Sequence, residues 1–127
     1  MAIGDFDNDG AVDVLVSVND GLSVLLKNVS ASENHWLGVR LVGKKSNPDA
    51  IGARLTWQAG DLKRSKLKVA GGSYLSSHDP RDVLGIGKRK KIDKLEIRWP
   101  PPSGRTESFT DLPVDRYITI VEGAGIK

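Results

Sequence analysis

The sequence predicts an all-β protein, an antiparallel β-sandwich preceded by a calcium-loop β-hairpin. Three observations carry this. Helical periodicity is nearly absent, and short runs of alternating apolar and polar residues take its place. Those runs are separated by Gly, Pro, Asn and Asp, the residues that make turns. Near the start, Asp5-Phe6-Asp7-Asn8-Asp9-Gly10-Ala11-Val12-Asp13 spaces its acids as a metal loop does.

Side-chain oxygens at loop positions 1, 3, 5 and 9 and a backbone carbonyl at position 7 suit a hard divalent cation. Asp5, Asp7, Asp9 and Asp13 occupy the first four and Ala11 the last. Gly10 permits the left-handed turn that wraps such a loop. Four carboxylates this close repel one another without a cation, so calcium is the expected cofactor. The loop is not an EF-hand: position 12 is Val16 where a bidentate Glu is needed, and a β-branched run follows where a helix is needed.

That run, Val12–Val18, reads as a strand. Asn19-Asp20-Gly21 turns it, and Leu22–Lys27 returns as the second arm of a hairpin. Asn28–Asn34 is small and polar, a linker; Asn28-Val29-Ser30 also fits a glycosylation sequon, a triplet common by chance. Beyond it, Leu37, Val39 and Leu41 alternate with Trp36, Gly38 and Arg40. Ala53, Leu55 and Trp57 alternate with Arg54, Thr56 and Gln58. Over 65–69, Leu67 and Val69 are expected inward and Lys66 and Lys68 outward. Leu95, Ile97 and Trp99 face away from Lys94, Glu96 and Arg98, and strands over 107–109 and 117–121 complete the set. Such alternation over six or more short strands is what a two-layer sandwich needs. Pro100-Pro101-Pro102-Ser103-Gly104 is a turn, since proline cannot sit in a central strand. The expected organisation is a hairpin unit over 1–29, a linker over 30–34, a sandwich over 35–123 and a tail over 124–127.

At 127 residues the chain is one domain, or a domain with a fragment attached, and it can bury a core without staples. With no cysteine, disulfides are excluded. No apolar run is long enough to cross a bilayer. Met1 leads straight into the acidic loop with no signal peptide, so the start looks like the edge of a piece cut from a longer chain. The net charge of +3 hides an asymmetry: residues 1–26 hold five acids and no Lys or Arg, leaving 19 basic and 11 acidic residues in the remainder. Lys88-Arg89-Lys90-Lys91 reads as a solvated turn. Neither aromatic stacking nor a recognition helix accompanies it, so nucleic acid is not an expected partner.

Two resemblances follow from these residues. Ala2-Ile3-Gly4-Asp5-Phe6-Asp7-Asn8-Asp9-Gly10, continued by Asp13 and Val14-Leu15-Val16, resembles the FG-GAP (VCBS) repeat. This implies a calcium-binding blade of an extracellular β-propeller, here partial (1–29) and lacking a clear fourth strand. One incomplete blade cannot close a propeller; it is expected to dock on the next unit or to swap between chains as a homodimer. Residues 34–122 resemble the ASPIC/UnbV domain through Asn34-His35-Trp36-Leu37, Asp49-Ala50-Ile51-Gly52-Ala53-Arg54, Gly71-Gly72-Ser73-Tyr74-Leu75-Ser76-Ser77, Asp79-Pro80-Arg81, Gly85-Ile86-Gly87, Ile97-Arg98-Trp99-Pro100 and Leu112-Pro113. The resemblance implies a module that follows such blades in secreted proteins and brings no established catalytic residues. Two departures stand out: Val83-Leu84 replaces the usual His-Phe, and Pro101-Pro102 lengthens a turn.

Trp57 and Trp99 fall on apolar faces and belong to the core. Trp36 falls on a polar face, where it either exposes its ring or packs against the linker or hairpin. An exposed Trp36, with Tyr74 beside Gly71-Gly72-Ser73 and Arg40 nearby, would form a groove for a sugar face. No enzyme is expected. Ser76-Ser77-His78-Asp79 holds the side chains of a triad, but adjacent residues cannot align as one. His35 and His78 are too few for a His-based zinc site, and Asp79, Asp82, Asp93 and Glu96 do not stand apart from turn acids as a glycosidase pair would. The expected function is a non-catalytic, calcium-stabilised binding module, secreted or in the cell envelope, for a polysaccharide. The alternatives are a protein-interaction module presenting Arg40, Arg54, Lys66 and Lys68, and an accessory of, or minor, glycoside hydrolase.

Overall fold

The computed structural model describes residues 1–30 and 33–127, so part of the expected linker, at 31–32, lies outside the described residues. The chain is all-β. An N-terminal arm of three antiparallel strands, β1 (Ala2–Gly4), β2 (Asp13–Val16) and β3 (Val24–Leu26), precedes two four-stranded sheets. One sheet has the order β11-β10-β5-β6, from β5 (Arg54–Ala59), β6 (Leu62–Leu67), β10 (Ile92–Arg98) and β11 (Thr106–Leu112). The other has the order β13-β12-β4-β9, from β4 (His35–Val42), β9 (Asp82–Gly87), β12 (Arg116–Val121) and β13 (Gly125–Ile126). A two-stranded ribbon, β7 (Gly72–Ser73) with β8 (Ser76–Ser77), stands apart from both. Most ladders are antiparallel; β4 and β12 run parallel, with Leu37 opposite Arg116 and Leu41 opposite Ile120.

The core is the product of the alternation. From one sheet Leu55, Trp57, Leu95 and Ile97 point inward; from the other come Leu37, Val39, Leu84, Ile86 and Ile120. All are buried, and Trp99 closes one end. β9 escapes the sequence pattern because Gly85 and Gly87 stand on its outer face and only Leu84 and Ile86 point into the core. β13 lies within the expected tail and pairs with β12 through Ile120↔Ile126.

The expected facing over 65–69 is reversed. Register pairs Leu67 with Arg54, on the outside, and leaves Leu67 and Val69 exposed. Lys68 is buried instead. Its ammonium donates to the Pro80 carbonyl and lies 3.1 Å from Asp82, whose other oxygen takes Lys66 at 2.7 Å. Asp82 is itself buried at the start of β9. Two lysines on the inward side of an edge strand are thus held by one buried carboxylate, which leaves the alternating Leu67 and Val69 on the outer side.

Glu122 is a second buried charge, 5% exposed just past β12. One oxygen accepts the backbone N–H groups of Lys44, Lys45 and Ser46 at 2.8–2.9 Å, and the other accepts the Ser46 hydroxyl at 3.2 Å. Three successive amides on one oxygen form an anion nest. Burial alone would raise this carboxyl, but the Ser103 and backbone hydrogen bonds outweigh it and lower its pKa from 4.5 to about 2. With the folded value depressed, the unfolded chain binds more protons in acid, so this contribution is fully present above pH 4.5 and fades as pH falls towards about 2. Glu122→Gln is expected to lower the melting temperature at neutral pH, and the gap from the parent protein should narrow as melts are repeated from pH 5 down to pH 2.5.

Candidate metal centre and the seam beneath it

The acidic run folds as a loop between β1 and β2. Asp5, Asp7 and Asp13 each present a carboxylate oxygen, and these three lie within 4.8 Å of one another. Two oxygens on opposite sides of a calcium ion, each 2.3–2.6 Å from it, are at most about 5 Å apart, so the spacing admits such an ion. Asp9 does not join them. It is exposed, and its Oδ1 accepts the Ala11 N–H at 2.8 Å in a local turn. Gly10 takes φ +87°, the left-handed conformation expected of it.

Asp5 and Asp13 are 1% and 2% exposed, unusual for carboxylates. Asp13 accepts the N–H groups of Phe6 (2.9 Å) and Asn28 (2.8 Å), tying the loop to the end of β3. Asp5 accepts those of Asp9 (3.1 Å) and Gly10 (2.9 Å), and the Tyr117 hydroxyl at 2.6 Å. A carboxylate offers about four acceptor positions, so both keep capacity for a cation. Lys27 pairs with Asp7, lowering the Asp7 carboxyl and raising the lysine.

Tyr117 belongs to β12, so its bond to Asp5 joins the loop to the sandwich. Burial first, and then the Asp5 carboxylate, push the phenol well above its usual range, which keeps it a neutral donor. Its ring covers Gly38, where a Cβ would stand 2.1 Å away. Trp36 meets the same ring edge-on at 5.1 Å. The Trp36 indole lies equally close to Gly10, where a Cβ would also meet it at 2.1 Å. The exposed-ring expectation for Trp36 is therefore corrected: the ring is half-buried between the loop and Tyr117, because Gly10 leaves room for it on one side and Tyr117, seated on Gly38, closes the other. Tyr74 is 88% exposed at the tip of the β7–β8 ribbon, and Arg40 is exposed on β4.

Arg81 completes the seam. Its guanidinium donates to the Asp5 carbonyl (2.7 Å), to Asn8 Oδ1 (2.5 Å) and to both oxygens of Asp79 (2.6–3.0 Å), and it stacks 4.3 Å over Tyr117. Burial alone would raise the Asp79 carboxyl; hydrogen bonds from Arg81 outweigh it and hold the group below its ordinary range. The Asp79 N–H donates to the Ile3 carbonyl at 2.9 Å, and the Ile3 N–H to His78 Nδ1 at 3.3 Å. The Ser76 hydroxyl donates to the Met1 carbonyl. Ser76, His78 and Asp79 thus each engage the arm rather than one another. A cleft of about 520 Å³ runs along this seam, with Ile3 and Gly4 on one side and Lys68 and His78 on the other.

The ASPIC and UnbV family model matches residues 43–127, which are the sandwich from the end of β4 onward and the tail. The chain belongs to this family. The match begins later than residue 34, where the resemblance started, and runs through 124–127. The chain is also similar to cartilage acidic protein 1 of Xenopus tropicalis, 28% identical over 123 residues, covering 94% of this chain and 19% of that protein. The chain therefore spans about one fifth of the length of this relative.

The sequence reading named Asp5, Asp7 and Asp13 but missed Arg81 and Tyr117 as their supports. Asp79-Pro80-Arg81 was visible as a motif; what it grips was not. Gly10→Ala is expected to cost more than the roughly 1–3 kcal/mol of an enforced left-handed residue, because its methyl also strikes Trp36. Limited proteolysis should then cut within residues 1–30 first, together with a change in tryptophan emission. Tyr117→Phe, which removes one donor from a buried carboxylate, should cost about 1–3 kcal/mol in chemical denaturation.

Proposed function

We propose that this chain is a non-catalytic, calcium-stabilised binding module of an extracellular protein, with polysaccharide as its ligand class. The observation that carries the calcium reading is the convergence of Asp5, Asp7 and Asp13, two of them buried, in a loop that also touches the sandwich. A divalent ion there neutralises the acidic arm and fixes the loop that Tyr117 and Arg81 grip. The calcium is structural. In this reading the arm is a partial FG-GAP-type blade, and it stays on its own sandwich through Arg81 rather than swapping. The family membership and the similarity to cartilage acidic protein 1 support an extracellular setting.

For the ligand, the support moves away from Trp36, whose ring is engaged in the seam. It rests on the outer face of the β11-β10-β5-β6 sheet, which presents hydroxyls and guanidinium groups to solvent. Calcium should raise the melting temperature, by an amount equal to about 2.7 kcal/mol when free ion is about 100 times its Kd, and a chelator should reverse the shift. Asp13→Asn should abolish the response. Identical melts with and without chelator would remove the ion from the account. Trp36→Ala should lower the melting temperature and leave retardation in polysaccharide gels unchanged.

A further inference from the structure

The outer face of the β11-β10-β5-β6 sheet carries an unbalanced charge pattern. Register places Arg98 directly opposite Arg54 on neighbouring strands. Like charges facing each other across strands destabilise a sheet. Neither arginine, nor Lys63, makes an ion pair among the described residues, and the one acid on this face, Glu96, takes Lys94 at 3.1 Å. Lys94 and Lys63 flank Gln58 in one row across the sheet. Strand spacing and rise put these two rows of cations about 14 Å apart, with Lys94 and Lys63 about 10 Å from one another.

This is not the basic surface expected from sequence. Arg40 is on the other sheet, and Lys66 and Lys68 turn to the inward side where both meet the Asp82 carboxylate, so only Arg54 of that set belongs to it. Ser65 and Ser108 stand in the row between the cations, and Thr106 and Thr110 end the cation rows on β11; all four are exposed. The face holds no aromatic ring on which a base could stack. Its one apolar side chain is Leu67, too little for the buried anchors that protein interfaces use. Cations among exposed hydroxyls suit a polymer of sugars bearing negative groups, where guanidinium forks take carboxylate or sulfate and hydroxyls take ring substituents.

We propose that this face, through Arg54, Arg98, Lys63 and Lys94, binds an acidic polysaccharide. The inference rests on the polysaccharide reading above and specifies its charge. Affinity electrophoresis of the calcium-loaded protein in gels containing polygalacturonate, dextran sulfate, neutral dextran or poly-L-glutamate tests it. Retardation by polygalacturonate supports it with carboxylate as the recognised group, and retardation by dextran sulfate supports it with sulfate. Added salt should weaken either. The Arg54→Gln/Arg98→Gln double variant should bind about tenfold more weakly, as two charge-assisted contacts are lost. Its melting temperature should be unchanged or higher, because the repulsion is gone. Lys88→Gln/Lys90→Gln, in the basic turn, should bind as the parent does.

Equal retardation by poly-L-glutamate would overturn the proposal in favour of an acidic protein partner or simple ion exchange. So would a loss that follows Lys88 and Lys90, or an Arg54→Gln/Arg98→Gln variant that binds normally. If neutral dextran retards parent and variant alike and the acidic polymers do no more, this inference fails while the polysaccharide reading stands. If nothing is retarded, both fail.

Discussion

Asp5 faces two ways, and the placement of the whole N-terminal arm depends on it. Its side chain closes the acidic loop by accepting the amides of Asp9 and Gly10, and the same carboxylate accepts the Tyr117 hydroxyl from the sandwich. Its carbonyl takes the Arg81 guanidinium. A buried carboxylate is costly unless it is paired and hydrogen-bonded. Its partners come from both bodies, so loop closure and arm docking are satisfied together or not at all.

This coupling explains why glycine stands where two aromatic rings sit. Tyr117 can reach Asp5 only by lying on Gly38, and Trp36 can flank Tyr117 only by lying on Gly10. The seam is a short stack in which loop backbone, indole, phenol and guanidinium follow one another. The Tyr117 ring lies against the Arg81 guanidinium and, with Asp5, is partly withdrawn from water. In that drier setting, the Arg81–Asp79 and Arg81–Asp5 contacts are screened less than surface ion pairs. An ion bound by Asp5, Asp7 and Asp13 would act on the same group, so metal and docking would be linked through one side chain.

The sandwich was legible where one face of a strand is buried and the other wet. Leu37, Val39 and Leu41 on β4, and Leu95 and Ile97 on β10, show their burial in their spacing, because period-two alternation is the physical consequence of a half-buried strand. It was illegible where charge goes inward. Lys68 reads as a solvent residue until Asp82, supplied by a strand 14 residues later, is known to wait for it. The acidic loop shows the same division. Its three converging acids lie within nine residues and follow a spacing rule. Tyr117 lies 112 residues from Asp5, and no local pattern announces that a tyrosine ring has been laid over a glycine. The outer-face arginines fall between these cases: alternation puts Arg54 and Arg98 outward, while only register sets them side by side.

A divalent ion bound by Asp5, Asp7 and Asp13 would tie the acidic loop and the seam into one unit. Amide hydrogen exchange resolved by residue, with calcium and with chelator, tests it most directly. Calcium should slow exchange at the loop amides of Asp9, Gly10 and Asn28 and, to a similar degree, at the Asp79 amide that bonds Ile3 across the seam. Slowing confined to the loop, with Asp79 unchanged, would contradict it.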